Sequence, residues 1–394
     1  MGIFPAIHVT MPPFPEEIPV PGLLTDVDPD GLLEYSVVYT DRAVNHMSGA
    51  FQSVMTDLST TLKKVYNADA AVIVPGSGTF GMEAIARQFA EGKNCLVIRN
   101  GWFSFRWTQI FEMGNIPART TVLKARQTSE AATAPFAPAP IEEVVATIKK
   151  EKPDLVFAPH VETSSGMLLP NDYLKAVADA VHEHGGLFVL DCIASGTIWV
   201  DMKSVGVDIL VSAPQKGWSG SPCAAFVMLN DRALEVMSTT KSSSFACDLA
   251  KWHDIMRAYE GGGHAYHATM PTDALRVCRD VMNEAVSYGI EKLCVEQQEL
   301  GDRVRAMLAG KGIQSVAAPG FEAPGVVVCY TDDAGINNGS KFAEQGLQIA
   351  AGVPLQCDER DDFKTFRLGL FGLDKLHNID RTVDTLEKAL DQIL

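Results

Sequence analysis

The chain has 394 residues, 46% of them hydrophobic, with 33 Lys or Arg against 49 Asp or Glu for a formal net charge of −16. At roughly 150 residues per domain this allows two or three globular domains, and the acidic balance argues against nucleic acid, whose phosphates call for clustered Lys and Arg. No Lys or Arg precedes Arg42, so no signal peptide is expected, and the longest apolar stretch, Leu187 to Val200, is short and carries Asp191, so no membrane span is expected.

Prolines at 5, 12, 13, 15, 19, 21 and 29 predict an extended N-terminal arm over 1–40, packing on the small domain or the substrate pocket. Apolar Phe51, Val54, Met55, Leu58, Leu62 and Val65 fall near helical spacing and predict a helix over 48–66. Short apolar runs then alternate with helical patterns at 71–74, 95–98, 121–123, 155–158, 187–190, 209–211 and 224–229. Seven strands interleaved with helices predict one large α/β domain over 41–285, its mostly parallel sheet covered on both faces. The segment 131–140 reads as a loop, and Gly261–Gly263 as a hard break. A helical pattern from Thr272 through about Leu308, strands near 326–330 and 366–370, and a terminal helix over 378–394 predict a smaller α+β domain over 286–394. Eight dispersed cysteines with no Cys-x-x-Cys pair predict reduced thiols in a cytoplasmic protein with no metal site.

Gly76-Ser77-Gly78-Thr79-Phe80-Gly81 follows a strand and opens a helix, where unpaired backbone N–H groups and the helix dipole favour a phosphate. The run has the form of a dinucleotide fingerprint, but the next strand ends in Arg99-Asn100 instead of the acidic residue that holds a ribose. An NADP-dependent oxidoreductase with Arg99 on the 2′-phosphate stays open as an alternative. Asp191 closes a buried strand, and Gln215-Lys216-Gly217 follows the end of the next. A phosphate cradle, a strand-end Asp and a loop Lys are the parts a pyridoxal phosphate enzyme needs. The Lys forms a Schiff base, and the Asp keeps the ring nitrogen protonated.

Read together, ordered motifs from about Asp41 to Gly372 resemble the class V aminotransferases of fold type I, within them the alanine–glyoxylate and serine–pyruvate group. The motifs are Gly76-Ser77-Gly78-Thr79 with Glu83-Ala84, Asn100 to Arg106, Glu162-Thr163-Ser164-Ser165-Gly166, Asp191 with Ser195, Ser212 to Lys216, Tyr266 to Pro271, and Phe366-Arg367-Leu368-Gly369. The resemblance implies pyridoxal 5′-phosphate, with Lys216 as the Schiff-base lysine and Asp191 on the ring nitrogen. It implies that Phe103 stacks on the ring, that Ser77, Gly78, Thr79 and Gln215 hold the phosphate, and that Ser164 lies near the ring hydroxyl. Tyr266 and Thr269 would reach the neighbouring subunit's phosphate, making a homodimer with shared sites, and Arg367 would grip the substrate carboxylate. The implied reaction moves an amino group from a small amino acid to a 2-oxo acid such as glyoxylate or pyruvate by a ping-pong route. A pyridoxal phosphate enzyme of other specificity, a lyase or an aminophosphonate or amino sulfonate transaminase, is the second alternative.

Overall fold

In the computed structural model, which describes Asp28 and residues 32–394, all seven expected strands enter one sheet. They are β1 (Ala70–Pro75), β2 (Asn94–Arg99), β3 (Arg119–Lys124), β4 (Leu155–Pro159), β5 (Leu187–Asp191), β6 (Ile209–Ser212) and β7 (Ala224–Leu229). The order across the sheet is β1-β7-β6-β5-β4-β2-β3, parallel throughout except for β7, which runs antiparallel to both β1 and β6. Strands β4 to β7 are buried at every residue, as expected of a sheet covered on both faces.

Helix α1 (Gly49–Tyr66) starts at the Ser48 cap, whose side chain accepts from the Phe51 amide, and buries Phe51, Val54, Met55, Leu58 and Leu62. Helix α2 (Gly78–Phe89) follows β1 and α3 (Trp102–Gly114) follows β2, so both begin at the carboxyl end of a strand. The long helical pattern after Thr272 resolves into two helices, Thr272–Tyr288 and Ile290–Gly310, because Gly289 interrupts it. Part of the expected loop over 131–140 is ordered as well, with Phe136–Ala137 pairing antiparallel to Arg126–Gln127.

A second sheet of three strands follows. Strand β8 (Val326–Tyr330) and the short β9 (Ala350–Ala351) flank β10 (Thr365–Gly369), both antiparallel to it, so Arg367 lies on the central strand opposite Val328. The terminal helix Ile379–Ile393 packs beside Ile290–Gly310 on this part of the chain. Most of the proline-rich arm lies outside the described residues. All eight cysteines are unbridged, and among the described residues no helix is long and apolar enough to cross a membrane.

Candidate active site

Strand ends assemble the site. Asp191 closes β5 in register with Val211 of β6, and β6 ends at Ser212, just before Lys216. Helix α2 starts against both segments: a Cβ added at Gly78 would lie 2.5 Å from Cδ1 of Ile193 and 3.4 Å from Cβ of Ala213. A side chain there would push the helix away from the residues flanking Asp191 and Lys216. The Lys216 loop is held as closely, since a Cβ at Gly217 would run into the Gly196 carbonyl oxygen. At the start of α2, Ser77 makes no side-chain cap bond and the first turn has no acidic residue, so the leading N–H groups remain open to an anion.

The start of α3 is fixed by one buried carboxylate. Glu162 accepts from the amides of Phe103 (3.1 Å), Ser104 (2.9 Å) and Ser164 (3.1 Å) and from the hydroxyls of Ser104 and Ser164, both at 2.7 Å. Ser164 in turn accepts from the Trp102 amide at 2.8 Å, so its hydroxyl bridges the two segments. Phe103 is thereby presented with two guanidinium carbons near its ring centroid, Arg106 at 5.2 Å and Arg367 at 5.7 Å. Arg367 donates through Nε to the Ala351 carbonyl, and its two terminal nitrogens make no hydrogen bond among the described residues.

The charges here are set by burial. Desolvation raises the Asp191 carboxyl from its ordinary 3.8 to about 7, opposed by the Ile193 amide it accepts from at 2.9 Å, reinforced by Glu162 and opposed by Arg106. Lys216 is lowered, first by desolvation and then by the positive charge of Arg367. Its Nζ lies 5.3 Å from the Phe371 ring centroid. The Gln215 Oε1 is buried without a partner among the described residues. A cavity of about 390 Å³ lined by Gln215, Lys216, Ser219, Glu284 and Phe371, among others, opens beside the lysine. Tyr266 is 56% exposed and its hydroxyl lies 3.1 Å from that of Thr269; neither bonds to the groups above within one chain, among the described residues.

The sequence model of the aminotransferase class-V family matches residues 32–353. The chain belongs to that family. Curated relatives include the alanine–glyoxylate aminotransferase of Rattus norvegicus, 26% identical over 89% of this chain and 82% of that one. Another is the soluble hydrogenase small subunit of Synechococcus sp. (strain PCC 6716), 24% identical over 89% and 88%. Among solved structures, the alanine–glyoxylate aminotransferase of Nostoc sp. superposes with a TM-score of 0.75 at 22% identity, covering 89% of each chain. The architecture is therefore that of fold type I, and the enzyme is a transaminase that uses pyridoxal phosphate.

The residues present fit that cofactor. Asp191 is a buried carboxyl whose only hydrogen bond among the described residues is to one amide, which suits a cationic ring nitrogen. The open turn of α2 suits the phosphate, and Lys216 is an amine of lowered basicity. The NADP alternative is overturned. Strand β1 sits at the sheet edge against an antiparallel neighbour and β2 lies near the other edge, so the glycine loop does not join adjacent parallel strands as a dinucleotide unit requires. Arg99 is buried, donating to Thr108 Oγ1 at 2.8 Å and to the Gln356 carbonyl at 3.3 Å, so it is committed to the protein. Two residues inside quoted motifs gain roles that motif reading alone did not assign: Glu162 as the anchor of α3, and Arg106 beside Phe103. The signal available in advance was the acidic residue two positions before Ser164; what it binds is visible only in three dimensions.

Asp191 makes a pH prediction. Its folded-state pKa lies above its unfolded one, so its contribution to apoprotein stability is full below about pH 4, is lost as pH rises to about 7, and then stays lost. Asp191→Asn removes that loss. The apoprotein carrying Asp191→Asn should melt several degrees above the parent apoprotein at about pH 8 and no higher at about pH 4. With pyridoxal phosphate added, the order at about pH 8 should reverse. Melting curves of both proteins with and without cofactor check this.

Proposed function

We propose that the enzyme moves the amino group of an alanine- or serine-like amino acid to a small 2-oxo acid such as glyoxylate or pyruvate. What supports this reading is the nearness of Arg367 to Lys216, close enough for the guanidinium charge to depress the amine. An α-amino acid offers a carboxylate and an amine one carbon apart: the guanidinium takes the carboxylate, which brings the amine and the α-carbon toward the Lys216 nitrogen. The terminal nitrogens of Arg367 take the carboxylate in a bidentate pair. Phe103 gives the cofactor ring a flat apolar face beside Arg367, and Phe371 narrows the space around the amine, which favours a small side chain. Pyridoxal phosphate supplies the electron sink that makes the substrate α-proton acidic. Lys216 Nζ, neutral more readily than an ordinary lysine, takes up that proton and returns it on the far side of the shift. Asp191 holds the ring nitrogen, and Ser77, Gly78, Thr79 and Gln215 hold the phosphate.

A homodimer completes the cradle in this reading, with the partner's Tyr266 and Thr269 reaching the phosphate. The exposed Tyr266 and Phe245 (77%), the latter packed on the ring of the neighbouring His267 at 4.6 Å between centroids, support an apolar patch to be covered by a second copy. The large domain over 41–285, the small domain over 286–394 and a cytoplasmic location complete the proposal, the last supported by eight unbridged thiols.

An amino-donor screen tests the specificity, reading loss of the cofactor's yellow absorbance with alanine, serine, aspartate and 2-aminoethylphosphonate in turn. Conversion by alanine or serine is the expected outcome, and conversion by the phosphonate alone would replace this reading. Arg367→Ala should raise KM for both carboxylate substrates by about a hundredfold or more while cofactor affinity changes less than about threefold. Unchanged KM values would remove Arg367 from this role.

A further inference from the structure

In a chain with 16 excess negative charges, a half-buried arginine without a carboxylate partner is conspicuous. Arg106 is one. Its hydrogen bond runs from a terminal nitrogen to Thr79 Oγ1 at 3.3 Å, and no Asp or Glu lies within ion-pair distance among the described residues. A guanidinium carries five N–H donors, so a single neutral acceptor leaves most of its capacity free, and Asp191, the carboxyl its charge acts on, lies beyond ion-pair distance. Arg367 is the other unanswered guanidinium near Phe103, and the substrate carboxylate accounts for it.

What Arg106 touches shows where its charge is used. Thr79 stands in the first turn of α2, beside the open N–H groups that suit a phosphate. Because Arg106 donates to the Thr79 oxygen, it occupies a lone pair there and leaves the hydroxyl proton free to point elsewhere. The same guanidinium lies 5.2 Å from the centroid of Phe103, three residues earlier on α3. One side chain therefore ties the phosphate end of the site to the ring that stacks on the cofactor.

We infer that Arg106 is a positioning residue for the cofactor phosphate: it turns the Thr79 hydroxyl into a donor toward that phosphate and adds a positive charge behind it. This rests on the pyridoxal phosphate reading of the site. The role is selective, because a cofactor without the phosphate makes no use of it, whereas a residue that merely supported α3 would affect both forms alike.

The test titrates the apoprotein with pyridoxal phosphate and, separately, with pyridoxal, following quenching of tryptophan fluorescence. In the parent protein the phosphate form should bind far more tightly, and added inorganic phosphate should improve pyridoxal binding. Arg106→Met should weaken pyridoxal phosphate by about tenfold or more, change pyridoxal by less than about twofold, and abolish the help from inorganic phosphate. Arg106→Lys should recover part of the loss. Thr79→Val should show the same selectivity and add little when combined with Arg106→Met; if Arg106→Met melts early, Thr79→Val tests the contact from the other side. Equal losses for the two cofactor forms, or no loss for either, would overturn the inference. Failure of the parent protein to bind pyridoxal phosphate would instead overturn the reading on which it rests.

Discussion

Lys216→Ala should reduce transamination by about four orders of magnitude or more and leave the fold intact. The size of the effect follows from the two tasks proposed for one nitrogen, covalent capture of the cofactor and transfer of the substrate proton, since proton transfer alone contributes roughly 10²- to 10⁴-fold. The tolerance of the fold follows from what the side chain does when idle. It makes no hydrogen bond or ion pair among the described residues, and the ring beside it, Phe371, is 5.3 Å from Nζ. Burial and Arg367 already depress the amine, so removing it relieves a cost. Stability should therefore change by only about 1 kcal/mol. Borohydride should fix the cofactor to the parent protein and not to the Lys216→Ala variant, with mass spectrometry locating the label. Small primary amines should restore part of the rate by standing in for the missing Nζ. A variant that keeps its turnover without added amine would dismiss Lys216 as the acting base.

How far the sequence shows this site depends on the range of the interaction. Strand β5 is legible because four consecutive buried residues read as an apolar run, and Asp191 stands out as the polar residue that ends it. Lys216 follows the next such run, so position along two strands is enough to suggest that the pair converges. The break at Gly289 is less legible, because apolar spacing continues across it and of the two glycines in these 37 residues, Gly289 and Gly301, only the first ends a helix while the second lies inside one. The NADP alternative survived at the sequence level for a related reason. A glycine loop looks the same whether its strand lies in mid-sheet or at the edge, and only the order β1-β7-β6-β5-β4-β2-β3 separates the two. Glu162 lay furthest from view. Its partners Phe103 and Ser104 are 59 and 58 residues away in the chain and bond chiefly through backbone amides, which carry no residue-specific signal.

Glu162→Ala is accordingly expected to cost about 3–5 kcal/mol, the range for removing one partner from a buried charged network. It strands the amides of Phe103, Ser104 and Ser164 and two hydroxyls in a region closed to water. Melting should fall by roughly ten degrees, and cofactor affinity should fall with it, because Phe103 loses the bond that fixes its backbone. Glu162→Gln separates charge from volume: it fills the same space, yet its amide can accept through only one oxygen, so a smaller loss of about 1–3 kcal/mol is expected. It also removes a negative charge that raises the Asp191 carboxyl. In the Glu162→Gln apoprotein, Asp191 should therefore ionise at a lower pH than about 7, and the loss of stability on raising pH should end earlier. A pH series of melting curves on the apoproteins reads both effects at once. A Glu162→Gln protein whose stability falls over the same pH range as the parent would mean that Glu162 anchors α3 without setting the charge of Asp191. A changed range with an undisturbed cofactor affinity would mean the reverse.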